Sequence, residues 1–251
     1  MLSLRQRKDM ARAGQMVQQD MSASSLLHRL GKTELFAGLP PSELAEVLAA
    51  GRVRPLAKGA TIFNQGTPAE RAHLVLEGRI RILQTDGDGA QILMRFIGPG
   101  ETFGTVGLFT DHLYPAHAVA VTDCVEISWT EKDLLDLMAR HRLIGINLMK
   151  VMGTRLRETQ DRLRELATQG AERRIANTLL RLAAQAGKSD GDGMEIDFPV
   201  RRKDMAEICG ATLHTVSRTL KSWEKLGMVR TNRQRLTIQN IDGIRRRADP
   251  F

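Results

Sequence analysis

Three side chains within one short segment carry the most specific chemistry in the chain. In residues 201–226, RRKDMAEICGATLHTVSRTLKSWEKL, His214, Ser217 and Arg218 stand at i, i+3 and i+4, so a helix there points all three the same way. A guanidinium can donate a bidentate pair to guanine O6 and N7, a hydroxyl is a small adaptable partner, and an imidazole donates to or accepts from a base edge. Val216, Leu220 and Trp223, at i, i+4 and i+7, form the opposite, core-facing row. Upstream, Arg202 to Cys209 reads as a first helix with Met205, Ala206 and Ile208 inward, Gly210 as the turn, and Thr212 as cap of the second helix. This is the pattern of a helix-turn-helix that places its second helix in a major groove. Arg202, Lys203 and the Thr212 hydroxyl stand where phosphate oxygens would lie, fixing the position of the head without reading sequence.

Other chemistry is thin. Catalytic patterns are absent: Leu182 stands where a phosphate-binding loop ending at Gly187-Lys188-Ser189 needs its first glycine, and Phe103 stands where a dinucleotide fingerprint begun at Gly98 needs its third. No metalloprotease, nucleophile-elbow or zinc spacing occurs, so neither an enzyme nor a metal site is expected. The two cysteines, Cys124 and Cys209, are too few for a disulfide framework or a four-cysteine iron–sulfur cluster and read as reduced thiols of a cytoplasmic protein. Six histidines occur, His28, His73, His112, His117, His141 and His214.

The surrounding elements follow from composition and periodicity. With 251 residues, 42% hydrophobic and 26% charged, the chain can bury a sizeable core, and no run approaches a membrane span. Of the net charge of +8, most lies in residues 169–251, where 16 Lys/Arg face 10 Asp/Glu. Such asymmetry points to a polyanion-binding module beside a nearly neutral one. Residues 1–25 read as a loosely ordered arm. Residues 26–130 open with Leu35, Phe36 and Leu39 and a helix capped by Ser42, then turn to short alternating runs punctuated by glycine, the signature of a small antiparallel roll. The period becomes helical over 131–168. A spacing of 3, 4, 3, 4 and 3 runs through Met149, Met152, Leu156, Thr159, Leu163 and Leu166, which predicts a dimer seam. A second stripe, Ile144, Leu148 and Val151, would face the roll. Residues 169–251 follow with another helix, a polar loop at 187–193, the helix-turn-helix and a two-stranded wing over 229–238 with an arginine-rich tip.

The order of these pieces resembles the Crp/Fnr family of bacterial transcription regulators over roughly residues 28–240. The likeness rests on Leu35-Phe36-Ala37-Gly38-Leu39, Leu76-Glu77-Gly78-Arg79-Ile80-Arg81-Ile82, Gly98-Pro99-Gly100-Glu101-Thr102-Phe103-Gly104, Gly107-Leu108-Phe109, Arg174-Ile175-Ala176 and Ile208 through Arg218. It implies an α+β protein: an N-terminal β-roll of the cyclic-nucleotide-binding kind, a long dimerisation helix and a C-terminal winged helix-turn-helix. It further implies a homodimer on a TTG…CAA-like double-stranded DNA site, working with RNA polymerase. Thr105 and Tyr114-Pro115 stand where cyclic-AMP-binding members hold ribose and phosphate, so cyclic AMP is not expected: a buried phosphate without its Arg and Ser would be an unpaired charge. Residues 1–123 hold no cysteine, which excludes the iron–sulfur branch. The segment Leu213 to Leu220, with His214, is similar to NnrR-type regulators, implying nitric oxide as effector, with haem as its carrier, and control of denitrification genes. Thr105, Tyr114 and His117 are candidate effector contacts. The alternative is a FixK-like regulator without effector, modulated by oxidation of Cys209.

Overall fold

The computed structural model describes residues 22–89, 91–191, 193–232 and 235–249. Residues 1–21 of the expected arm and Arg233-Gln234 at the wing tip lie outside the described residues. The chain divides into two compact units, one formed by residues up to 82 with 96–154, the other by 83–95 with residues from 155 onward.

Between residues 23 and 140, helices α1 (Ala23–Gly31) and α2 (Pro41–Ala50) precede strands β1 (Arg52–Leu56), β2 (Thr61–Phe63), β3 (Arg71–Glu77) and β4 (Ile80–Thr85). Then come β5 (Gln91–Ile97), β6 (Thr102–Phe103), the one-turn helix α3 (Thr105–Leu108), β7 (His117–Ala120), β8 (Cys124–Thr130) and helix α4 (Glu131–Arg140). The strands form two four-stranded sheets, ordered β1-β8-β3-β6 and β2-β7-β4-β5. Strand β8 is central: Leu74 pairs with Ile127 on one side, and Val53 pairs with the same Ile127 on the other. Because side chains alternate, Ala72, Leu74, Ile127 and Trp129 share one buried face. Trp129 anchors that face to the helices, donating its indole N–H to the Val47 carbonyl at 2.9 Å and meeting the Phe36 ring edge-on at 5.2 Å. Arg52, Arg54, Arg71, His73, Glu126 and Ser128 fall on the other face.

Two sequence expectations change here. Pro40, not Ser42, occupies the N-cap of α2, and Pro41 takes the first helical position, where its missing N–H costs nothing and its fixed φ suits the helix. The helical stretch over 131–168 is two helices: α4 ends at Arg140, and α5 (Arg142–Thr168) begins anew. His141 sits at the break in a non-helical conformation, its ring nitrogens 3.5 Å from Glu43 and 3.2 Å from Glu46 on α2. That pairing turns the chain where no proline or glycine marks the spot.

On α5, Ile144 and Leu148 are buried in the roll core, and Val151 is buried as well. The expected seam divides. Met149, Leu156 and Leu163 are 68%, 61% and 68% exposed, at i, i+7 and i+14. Met152 instead packs against the roll core, and the exposed Thr159 returns its hydroxyl to the Arg155 carbonyl at 2.9 Å.

The second unit holds α6 (Ala171–Ala186), β9 (Gly187–Asp190), β10 (Gly193–Ile196), α7 (Arg202–Cys209), α8 (Leu213–Lys225), β11 (Val229–Asn232), β12 (Arg235–Ile238) and α9 (Ile241–Ala248). The expected polar loop at 187–193 is therefore mostly a hairpin, turned at Gly191 with φ +60°. It extends the wing into a four-stranded sheet, ordered β11-β12-β10-β9. The strand Gly-Lys-Ser-Asp has no apolar alternation, and its pairing is invisible in the sequence.

Candidate nucleic-acid interface

Helices α7 and α8 meet around Gly210, whose φ of +61° suits glycine and closes α7 with an N–H bond to the Ala206 and Glu207 carbonyls. Thr212 caps α8: its hydroxyl oxygen accepts from the Thr215 N–H at 3.1 Å. Val216, Leu220 and Trp223 are fully buried and face Met205, Ala206 and Cys209, which are buried on α7. Ile208, expected inward, is only half-buried, and the buried Asp204 is the residue sequence reasoning passed over. Its carboxylate accepts the Arg201 backbone N–H at 2.8 Å and a guanidinium hydrogen at 2.6 Å, fixing the start of α7.

The outer row of α8 is polar and open. His214 and Arg218 are exposed and Ser217 is half-buried. No side chain of the three has a hydrogen bond or ion pair to another described residue. Lys221, three residues beyond Arg218, is likewise exposed and unpartnered, and extends the row by one turn. Its i+3 spacing from Arg218 is the signal in the sequence that places it on this row. Donors without internal partners, mounted beside a fully packed face, are held ready for an external acceptor.

The expected phosphate contacts are placed differently from one another. Lys203 is exposed, with its ammonium 3.6 Å from Glu207. Arg202 is half-buried and 3.8 Å from Glu224. The Thr212 hydroxyl is engaged locally, 2.9 Å from that of Thr215, so it acts first as a cap. Arg174 on α6 was not singled out as a site residue, yet its guanidinium donates to the carbonyls of Cys209 (2.8 Å), Gly210 (2.8 Å) and Gln169 (2.5 Å). A cation on the last carbonyls of α7 complements the helix end and pins the turn that aims α8. Cys209 is buried, and burial pushes its thiol up, so it packs the two helices together as an inert thiol.

Of the candidate effector contacts in the roll, Thr105 is fully buried and its hydroxyl has no partner among the described residues. His117 lies with Nδ1 3.3 Å from the Gln65 N–H and 3.3 Å from Asn64 Oδ1. Tyr114 is buried, donating to the Arg71 carbonyl at 2.9 Å and lying 3.3 Å from His73 Nε2. Among the described residues, no helix is long and apolar enough to cross a membrane, and no group of three or more His, Cys, Asp or Glu is placed to hold a metal ion.

Comparison with known proteins agrees with this organisation. Residues 53–141 match the cyclic nucleotide-binding domain family, and residues 173–247 match the Crp-like helix-turn-helix domain family. The chain is 33% identical over 196 residues to the cyclic AMP receptor protein of Thermus thermophilus, covering 78% of this chain and 88% of that one. It is 27% identical over 220 residues to the nitrogen fixation regulation protein FixK of Azorhizobium caulinodans, covering 85% and 88%. In fold it is similar to FixK2 from Bradyrhizobium japonicum, with a TM-score of 0.68 at 22% identity over 78% of this chain and 96% of that one. A DNA-reading helix-turn-helix joined to a cyclic-nucleotide-binding-type roll, with a receptor this similar along most of both chains, shows that the protein belongs to the Crp/Fnr family of DNA-binding transcription regulators.

Proposed function

We propose that the protein acts as a homodimer that reads a two-fold symmetric promoter site of the form TTG…CAA, with Arg218 donating to the guanine of each half-site and His214 and Ser217 reading neighbouring base edges. The observation that carries this is the α8 row itself: polar groups without internal partners, directly opposite a face with no exposure. The exposed apolar row Met149, Leu156 and Leu163 on α5 supports a seam between two copies. Pairing there would bring two reading helices to successive major-groove faces, about 34 Å apart. Lys203 supplies phosphate contact at the start of α7, and RNA polymerase is the partner at the promoter.

For the targets, the likeness of Leu213 to Leu220 to NnrR-type regulators supports genes of nitrogen-oxide metabolism, with nitric oxide as the implied signal. A haem to carry that signal would take an imidazole nitrogen of one of the histidines. Both ring nitrogens of His73 are engaged by Glu126 and Tyr114 and both of His141 by Glu43 and Glu46, whereas Gln65 and Asn64 both meet Nδ1 of His117. A FixK-like regulator acting without effector is the second reading, favoured by the FixK relative. Its thiol-switch form is not favoured, because Cys209 is buried and held protonated.

Retention of the full-length protein on a palindromic TTG…CAA fragment tests the proposal, measured against scrambled competitor across a salt series, with and without nitric oxide. Specific retention that survives competitor supports it. Retention that ignores base order contradicts it.

A further inference from the structure

The roll carries a polar cleft that DNA reading does not use. It lies wholly within the first unit, lined by β1, β3 and β8 together with β2 and Tyr114, and has a volume of about 410 Å³. That is room for a small ligand. Of Thr105 and Tyr114-Pro115, the positions matching the ribose and phosphate contacts of cyclic-nucleotide-binding members, only Tyr114 lines it.

Its charges are unevenly satisfied. Arg52, Arg54 and Arg71 face Glu70 and Glu126, leaving one positive charge in excess. Glu126 is fully buried and saturated within the wall, accepting from Arg54 Nε and Nη2 at 2.9 and 2.6 Å and lying 3.0 Å from His73 Nδ1. Arg71 is fixed rather than neutralised. Its Nε donates to the Ser128 hydroxyl at 3.0 Å and its Nη2 to the Ser128 carbonyl at 2.7 Å, which orients the guanidinium plane. Arg52 pairs in register with that same Ser128, two residues from Arg54 on the same strand face. Its side chain is exposed and has no ion pair or hydrogen bond to another described residue. Both guanidinium side chains line the cleft, and neither forms an ion pair with a carboxylate among the described residues, an arrangement an incoming anion relieves. Asn64 and Thr67 add polar lining, and the apolar part of the wall is Ile62, Pro68 and the rings of Phe63 and Tyr114, stacked with centroids 3.8 Å apart and planes 6° from parallel.

We propose that this cleft binds a small organic monocarboxylate, its carboxylate between Arg52 and Arg71 and its apolar body against Phe63 and Tyr114. A cationic ligand would add to the excess positive charge, and a neutral one would leave it uncompensated. Such a ligand gives the regulator proposed above an effector class, a role that rests on the DNA-reading assignment, whereas the binding itself does not.

Sodium benzoate serves as the probe, titrated into the full-length protein and followed by saturation-transfer NMR of its ring protons and by calorimetry. Saturable binding in the roughly millimolar range or tighter is expected. Arg52→Gln, which removes an exposed guanidinium and leaves the core intact, should weaken it by about tenfold or more. Benzamide, the same shape without the charge, should not saturate. The site is overturned by benzoate that fails to saturate, by Arg52→Gln binding it as well as the parent, or by benzamide competing as an equal. Promoter retention on the same samples separates the two proposals: its failure while benzoate still binds tells against the α8 reading and supports the cleft.

Discussion

Replacing Arg174 with methionine removes a guanidinium of similar length while keeping its apolar stem, and isolates what the charge does for the turn. Three carbonyls lose their donor: Cys209 and Gly210 at 2.8 Å, and Gln169 at 2.5 Å. A hydrogen bond from a charged group is worth about 1.5–3 kcal/mol when the acceptor is otherwise stranded. The contact to Gly210 is exposed and those to Cys209 and Gln169 only partly buried, so water recovers a good part of the sum. A net loss of about 2–4 kcal/mol is expected for the second unit. Urea denaturation read by Trp223 emission measures it, in a Trp129→Phe background so that the roll's indole is silent; these are the two tryptophans of the chain. Arg174→Lys, a single point donor in place of a planar fork, should restore only part of the loss. A methionine variant within about 0.5 kcal/mol of its parent would refute the idea that this guanidinium pins the turn.

Leu156→Asp places a charge in the middle of the exposed α5 row and should convert dimer to monomer in sedimentation; a surviving dimer would remove α5 as the seam. Lys203→Ala should weaken specific and scrambled DNA alike and reduce the salt slope by about 1, as loss of one phosphate contact requires. A site-selective loss would assign Lys203 to base reading instead. Burial pushes the Glu126 carboxyl up, but the hydrogen bond and charge of His73, joined by Arg54, outweigh it and leave the group below its ordinary value of 4.5. A depressed carboxylate contributes stability above its unfolded value and loses it as pH falls through the folded one. Glu126→Gln should therefore lower stability at neutral pH and flatten the acid limb of the pH–stability curve below 4.5; an unchanged acid limb would show that the pair is not coupled to folding.

Much of the DNA-reading unit was legible because local rules agree there. A capping threonine, a turn glycine and an apolar i, i+4, i+7 row each point to the same two helices, and Thr212, Gly210 and Trp223 take those roles. The roll was legible as a class, from glycine punctuation and alternation, but its pairings were not. What escaped depends on distant partners. His141 ends a helix only because Glu43 and Glu46 wait across α2, and the strand at 187–190 exists only because residues 193–196 and the wing offer it an edge. Met152 fits the heptad spacing as well as Leu156 does, yet packs inward, because spacing alone cannot say which neighbour a stripe will meet. Arg174, Arg52 and Arg71 are single polar residues whose meaning appears only once the fold brings carbonyls beside the first and one cleft around the other two.

The central claim is that Arg218 reads a base. Affinities of the parent and of Arg218→Ala for a TTG…CAA duplex, and for the same duplex with each guanine of the half-sites replaced, test it most directly. The parent should lose about 1–3 kcal/mol on that replacement, and the variant, already weaker by a similar amount on the intact site, should be indifferent to it. A variant that still distinguishes the two duplexes as sharply as the parent would contradict the account.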